Sequence, residues 1–118
     1  MMNKLNKTSK TGIVIEGANI VVYTPKEALS LIDTFKTNII GGDIFSEDKN
    51  GIIDYCHILW GIEYFYLCWS TDEKKEDETN EEYRQRCKNI AIVSISKAIE
   101  KANKFNKKCY ISFVLSDT

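Results

Sequence analysis

The sequence predicts an α+β fold, a mostly antiparallel sheet of about four to five strands with two helices in the order β-α-β-β-β-α-β. Three observations predict it. A helix-start signature stands at Thr24-Pro25-Lys26-Glu27, and a long run of helical periodicity follows the acidic stretch near residue 80. Between and around them lie short β-branched and aromatic runs separated by turn residues such as Asn50-Gly51. With 118 residues, 43% of them hydrophobic and 28% charged, the chain suits one soluble domain with one core. Residues 1–11 are polar and are expected to be a flexible N-terminal segment, with a single domain over 12–118.

The elements follow in order. GIVIEGANIVVY supplies one or two short strands broken at Gly17. TPKEALSLIDTF is a helix with Thr24 as N-cap, Pro25 at the first helical position and Glu27 closing a capping box. Ala28, Leu31, Ile32 and Phe35 share its apolar face, and its end is expected near Thr37 or Asn38. NIIGGDIF is a strand, SEDKNG a turn, and IIDYCHIL the returning strand of a hairpin. EYFYLCWS makes a third strand, so that a meander covers residues 39–69.

TDEKKEDETNEE is a charged loop, and a long helix then runs from Thr79 or Asn80 to about Asn103. Tyr83, Cys87, Ile90, Ala91, Ser94, Ala98 and Ala102 define its face. Ile92, Val93, Ile95 and Ile99 widen that face enough to predict a helix gripped on more than one side. KKCYISFVL closes the chain as a strand with Cys109, Ile111, Phe113 and Leu115 on one face.

Charge is distributed unevenly. The net charge of −1 gives no electrostatic case for a nucleic-acid or membrane partner, but residues 41–82 carry twelve acids against three lysines. The cysteines at 56, 68, 87 and 109 form no C-x-x-C and sit among apolar neighbours, which reads as buried free thiols in a reducing cytoplasm. The opening MMNKLNKTSK has charge with no apolar stretch behind it, so no signal peptide is expected.

Candidate chemistry is sparse. Gly41-Gly42-Asp43 resembles the Gly-Gly-Asp signature of bacterial nucleotide cyclases only superficially, because the residues that follow are Ile44 and Phe45. No lysine or helix start follows the glycines, against a phosphate loop. The pair instead permits a bulge or the close approach of a backbone or bulky side chain. His57 is the only histidine, and on a strand it would point away from Cys56; a zinc site is set aside because the usual close ligand pairs are missing. No cofactor or metal is expected. Along EYFYLCWS, strand alternation puts Phe65, Leu67 and Trp69 on one face and Tyr64, Tyr66 and Cys68 on the other; with helices covering the Phe65 face, tyrosines beside acids form a contact surface, the alternative being that the second face is covered too.

The capped helix, the Ile40-Gly41-Gly42-Asp43-Ile44 segment, the strand ending in Trp69 and the long helix containing Ser94 together resemble an immunity-protein family of bacterial polymorphic toxin systems, over about residues 24–105. Ser70 departs from the family pattern, in which another aromatic follows the tryptophan. The resemblance implies an α+β protein without catalysis that neutralises a cognate toxin domain, nucleases with basic active sites being common among such toxins. Gly41, Gly42, Trp69 and Ser94 would be its structural motif. The expected partner-binding acids are Asp43, Glu47 and Asp48 with Asp72, Glu73, Glu76, Asp77 and Glu78 of the loop, and the expected contact tyrosines are Tyr55, Tyr64 and Tyr66. A monomer or weak dimer is expected. Two alternatives stand beside this reading: a small hydrolase using Asp43 and His57, and a homo-oligomeric adaptor.

Overall fold

The computed structural model describes residues 5–7, 12–15 and 20–117. Two antiparallel sheets and several helices make the α+β fold expected from the sequence. The smaller sheet is formed by β1 (Leu5–Lys7), β2 (Ile13–Ile15) and β3 (Ile20–Val22) in that order. Strand β1 lies inside the segment expected to be flexible; the break expected at Gly17 falls outside the described residues.

Helix α1 (Pro25–Leu31) begins as the sequence requires. Thr24 Oγ1 accepts from the Glu27 N–H, and Glu27 Oε1 accepts from the Thr24 N–H. It ends well before Thr37. Ile32, Asp33 and Thr34 are weak helix formers, and Arg84 donates to the carbonyl oxygens of Phe35 and Lys36, holding that stretch as irregular chain.

Strand β4 (Ile39–Glu47) is the centre of the larger sheet. The C-terminal strand β7 (Cys109–Leu115) pairs with it from Ile39↔Leu115 to Ser46↔Cys109, with a bulge between Ile39 and Gly41. The other edge of β4 is shared. Strand β5 (Ile53–Tyr55) pairs with Phe45, Ser46 and Glu47, and β6 (Trp69–Ser70) pairs with Gly41 and Gly42.

The meander is therefore incomplete. Chain expected to be strand is helical: α2 (Cys56–Leu59) and a 3-10 helix (Ile62–Leu67), separated by Gly61 at φ +130°. The reason lies in a second periodicity. Cys56 and Leu67 are buried in the main core, with Trp60 and Tyr64 packed against it, and their spacing is that of a helical face. Strand alternation through the same aromatics obscured it.

Helix α3 (Asn80–Lys104) starts at a second capping box, Thr79 with Glu82, and ends where Asn106 takes a left-handed φ of 54° and the Lys107 N–H reaches the Ala102 carbonyl. Its buried stripe is Cys87, Ala91, Ile95, Ala98 and Ala102. Small residues let the helix approach the sheet closely. The helix packs against α1, the large sheet and the 3-10 helix, while Ile92 and Val93 of its wide apolar face are exposed.

The large sheet separates two clusters. Ile39, Ile44, Cys109 and Ile111 join α1 and α3 in the main core. On the other face Phe45 and Tyr110 meet Ile13, Ile15 and Val22 of the small sheet. Leu115 pairs with Ile39 on the face shared by Ile111 and Phe113, but at the end of the strand it is exposed. Among the described residues, no helix is long and apolar enough to cross a membrane.

Candidate docking surface and an adjoining cysteine–histidine cluster

The glycine pair is explained by Trp69. A Cβ on Gly42 would overlap the six-membered ring of Trp69, and one on Gly41 would come within 2.7 Å of the Trp69 carbonyl oxygen. The register runs Trp69↔Gly42↔Phe113 across three strands. Without a side chain at 42, the indole lies over the strand and reaches Phe113 edge-on, with ring centroids 6.4 Å apart. Ser94 is half-buried on α3.

The acids do not form one surface. Asp48 sits in the β4–β5 turn, where its carboxylate accepts from the N–H groups of Asn50 and Ile52. Glu47 accepts from the Tyr110 hydroxyl at 2.6 Å, and burial together with that bond raises the tyrosine's pKa. Asp72, Glu73, Glu76 and Asp77 lie past the opposite end of β4, roughly 20 Å away at the ordinary rise of a strand. Those four are exposed. Glu78 is not a free carboxylate: it forms a two-point pair with Arg86, Nε to Oε2 at 2.8 Å and Nη2 to Oε1 at 2.9 Å. That pair holds its carboxyl at about 2, below the usual range. Arg86 also donates to the carbonyl oxygens of Asp72 and Glu73, so one guanidinium ties the acidic loop to α3.

The tyrosines divide differently from strand alternation. Tyr55 stacks on Phe45 at 4.6 Å, and burial, followed by Asp43, raises its pKa. Tyr64 packs against Trp60 and Phe105. Of the three, only Tyr66 is exposed. The outward residues of this segment are Ile58, Ile62, Phe65 and Tyr66, at 59%, 75%, 58% and 56% exposure. Phe65, expected on the covered face, is therefore on the outer one. This apolar row is missed by strand alternation; the helical period through Cys56, Trp60, Tyr64 and Leu67 would have shown it. Its frame is firm: Trp60 Nε1 donates to buried Ser46 Oγ, which donates to the Lys108 carbonyl at 2.7 Å.

Asp43 lies half-buried beside a groove of about 400 Å³ lined in part by Tyr23, Phe35 and Phe113. Among the described residues no hydrogen bond joins Asp43 to His57, the contact that the hydrolase alternative requires.

A metal-ligating cluster does form. Because Cys56 opens α2 rather than continuing a strand, its thiol, one nitrogen of His57 and the Cys68 thiol all lie within 4.8 Å of one another. Cys68 Sγ accepts from the Ile44 N–H at 3.5 Å, at the position between β5 and β6 where no strand pairs with this edge of β4. Hydrogen bonding from Cys56 holds the Cys68 thiol below its ordinary pKa, while that same bond and burial push Cys56 up. His57 stands ring-to-ring with Tyr55 and Phe65, and its buried Nδ1 has no hydrogen-bond partner among the described residues.

The model of the family described as Immunity protein 40 matches residues 9–115 of this chain. No curated protein and no solved structure matches it.

Proposed function

The chain belongs to the Immunity protein 40 family, and we propose that it binds a cognate bacterial toxin domain in the cytoplasm and neutralises it without catalysis. Beyond family membership, the observation that carries this reading is the exposed row Ile58, Ile62, Phe65 and Tyr66 on a rigidly anchored segment. Large apolar and aromatic side chains held outward on a fixed frame are the usual anchors of a protein interface. The exposed acids Asp72, Glu73, Glu76 and Asp77 follow the row in sequence and supply negative charge. Such charge speeds encounter with a basic partner, including a nuclease whose active site binds phosphate. Asp43, Glu47, Asp48, Tyr55, Tyr64 and Glu78 act within the fold in this reading, each being half-buried.

The test uses the toxin domain encoded beside the gene of this chain. Co-expression should rescue growth, and purified chain should bind the domain with an association rate that falls as salt rises. Phe65→Ser with Ile62→Ser should weaken binding by tenfold or more while leaving the circular dichroism spectrum unchanged. Reversing Asp72, Glu73, Glu76 and Asp77 to lysine should slow association. Rescue and affinity untouched by the apolar pair would remove the proposed surface. Failure of the wild-type chain to bind or rescue would remove the proposed partner. Concentration-dependent dimerisation abolished by Phe65→Ser would assign the row to a self-contact instead.

A further inference from the structure

The cluster of Cys56, His57 and Cys68 has no part in the docking surface just described, yet it contains a convergent set of metal ligands. Cys56 and His57 open α2, and Cys68 follows the 3-10 helix, so the three are brought together only by the fold. Their ligand atoms lie within 4.8 Å of one another. A tetrahedral zinc site with ordinary Zn–S and Zn–N bonds needs ligand atoms about 3.5–3.8 Å apart. Side-chain rotations that bring the ligand atoms about 1 Å closer together close the difference.

We propose that Cys56, His57 and Cys68 bind a zinc ion that fastens both ends of the 56–68 segment to the open edge of β4. Two thiolates and an imidazole are donors that zinc takes in a site with an open fourth position, and a borderline-soft divalent cation fits them better than magnesium or calcium. Three further observations agree. A buried His57 nitrogen is left without a partner, an expensive state for a polar atom that a metal bond relieves. The Cys68 sulfur already accepts the Ile44 N–H, an arrangement that favours thiolate. Asp43 acts electrostatically on Cys68, so a carboxylate stands near the cluster, and water fills the fourth position. Cys56 is fully buried whereas His57 and Cys68 are partly exposed, so the ion enters from their side. Binding releases both thiol protons to solvent, with no change of oxidation state. The consequence is mechanical: the segment that presents Ile58, Ile62, Phe65 and Tyr66 gains a clamp at both ends.

The full chain, reduced and stripped with a chelator, is titrated with zinc against a chromophoric chelator and, separately, with cobalt(II) as a spectroscopic probe. One zinc per chain at micromolar affinity or tighter is expected, with a raised melting temperature. Cobalt should give a thiolate-to-metal band in the near ultraviolet and strong visible bands of tetrahedral coordination. His57→Gln and Cys68→Ser, both at partly exposed positions, should each weaken zinc binding at least tenfold. The absence of a thiolate–cobalt band in the wild-type chain overturns the proposal whether or not any variant folds. So does zinc binding that both folded variants leave unchanged, or a Cys56–Cys68 disulfide found in acid-quenched protein taken directly from cells.

Discussion

The two edges of β4 are built on different plans. Along one, β7 pairs from Ile39 to Ser46, and its inward residues Cys109 and Ile111 are buried under the helices. Along the other, β5 and β6 each take one end, and helical chain from Cys56 to Leu67 fills the interval. The continuous edge is a long backbone ladder with buried packing on both faces, Ile111 on one and Tyr110 on the other. The interrupted edge is fixed by particular side chains: Trp60 on Ser46, Trp69 over Gly42, Cys68 on the Ile44 N–H. An interruption frees residues to face outward, and the exposed apolar row stands there. If the continuous edge holds most of the stability, truncation there should cost more than truncation of the residues that the interruption turns outward.

The hardest blow to that division falls on the continuous edge. Ile111 is fully buried in the main core, and its N–H and carbonyl also bridge to Tyr23. Ile111→Ala should destabilise the chain by about 2–5 kcal/mol in urea titration, because truncation leaves a cavity that the sheet closes only partly. A loss under 1 kcal/mol would mean that the stability resides elsewhere. Gly42→Ala probes the side-chain device on the opposite edge. The added methyl collides with the Trp69 ring, so a cost of about 1–3 kcal/mol is expected, with altered tryptophan fluorescence. In the Trp69→Ala background the same glycine change should cost far less, and equal costs in both backgrounds would dismiss the steric account.

These two edges were also unequally legible in the sequence. Capping chemistry is local, so Thr24 with Glu27 announced α1, and alternation through Cys109, Ile111 and Phe113 announced β7. The glycine pair announced a close approach, although the residue that approaches, Trp69, is distant in sequence. The 56–67 segment misled because Tyr, Phe and Trp favour strands while their positions also satisfy a helical period, and tertiary packing decided between the two. The early end of α1 was hidden for a similar reason: Arg84, far along the chain, takes the carbonyls of Phe35 and Lys36. On the premise of a strand Cys56 and His57 point to opposite faces, and the helical turn removes that premise. The acids were legible as charge but not as a surface, since the pairing of Glu78 with Arg86 and of Glu47 with Tyr110 depends on the fold.

The acidic loop beyond β6 gives a smaller and more local expectation. Glu78 is held at about 2 by Arg86, below its unfolded value, so its contribution is present above the ordinary carboxylate range and is lost as pH falls toward 2. Hydrogen-exchange protection of amides in residues 72–79, taken relative to the intrinsic rate at each pH, should fall between about pH 4.5 and 2, ahead of that of the β4 and β7 amides. Glu78→Gln should produce the same local loss of protection at neutral pH. Equal loss of protection in the loop and in β7 across that range would show that the ion pair does not order the loop.

The smallest expected effect on stability is at the exposed row, and it separates the two plans most directly. Ile62 is 75% exposed, so its side chain has little burial to lose. Ile62→Ser should therefore change unfolding free energy by no more than about 0.5 kcal/mol, the usual range for surface positions. Trp60, two residues away in the chain, anchors the segment through Ser46 and Phe105, and because it is half-buried Trp60→Ala should cost about 1–3 kcal/mol. A large loss at Ile62 would mean that the row is packed against something within the chain, and a small loss at Trp60 would mean that the segment is not anchored. The pairing of a near-neutral outer residue with a costly inner one is what a rigid recognition element on an interrupted sheet edge requires, because a loose segment would have to be ordered by its partner and would bind correspondingly less tightly.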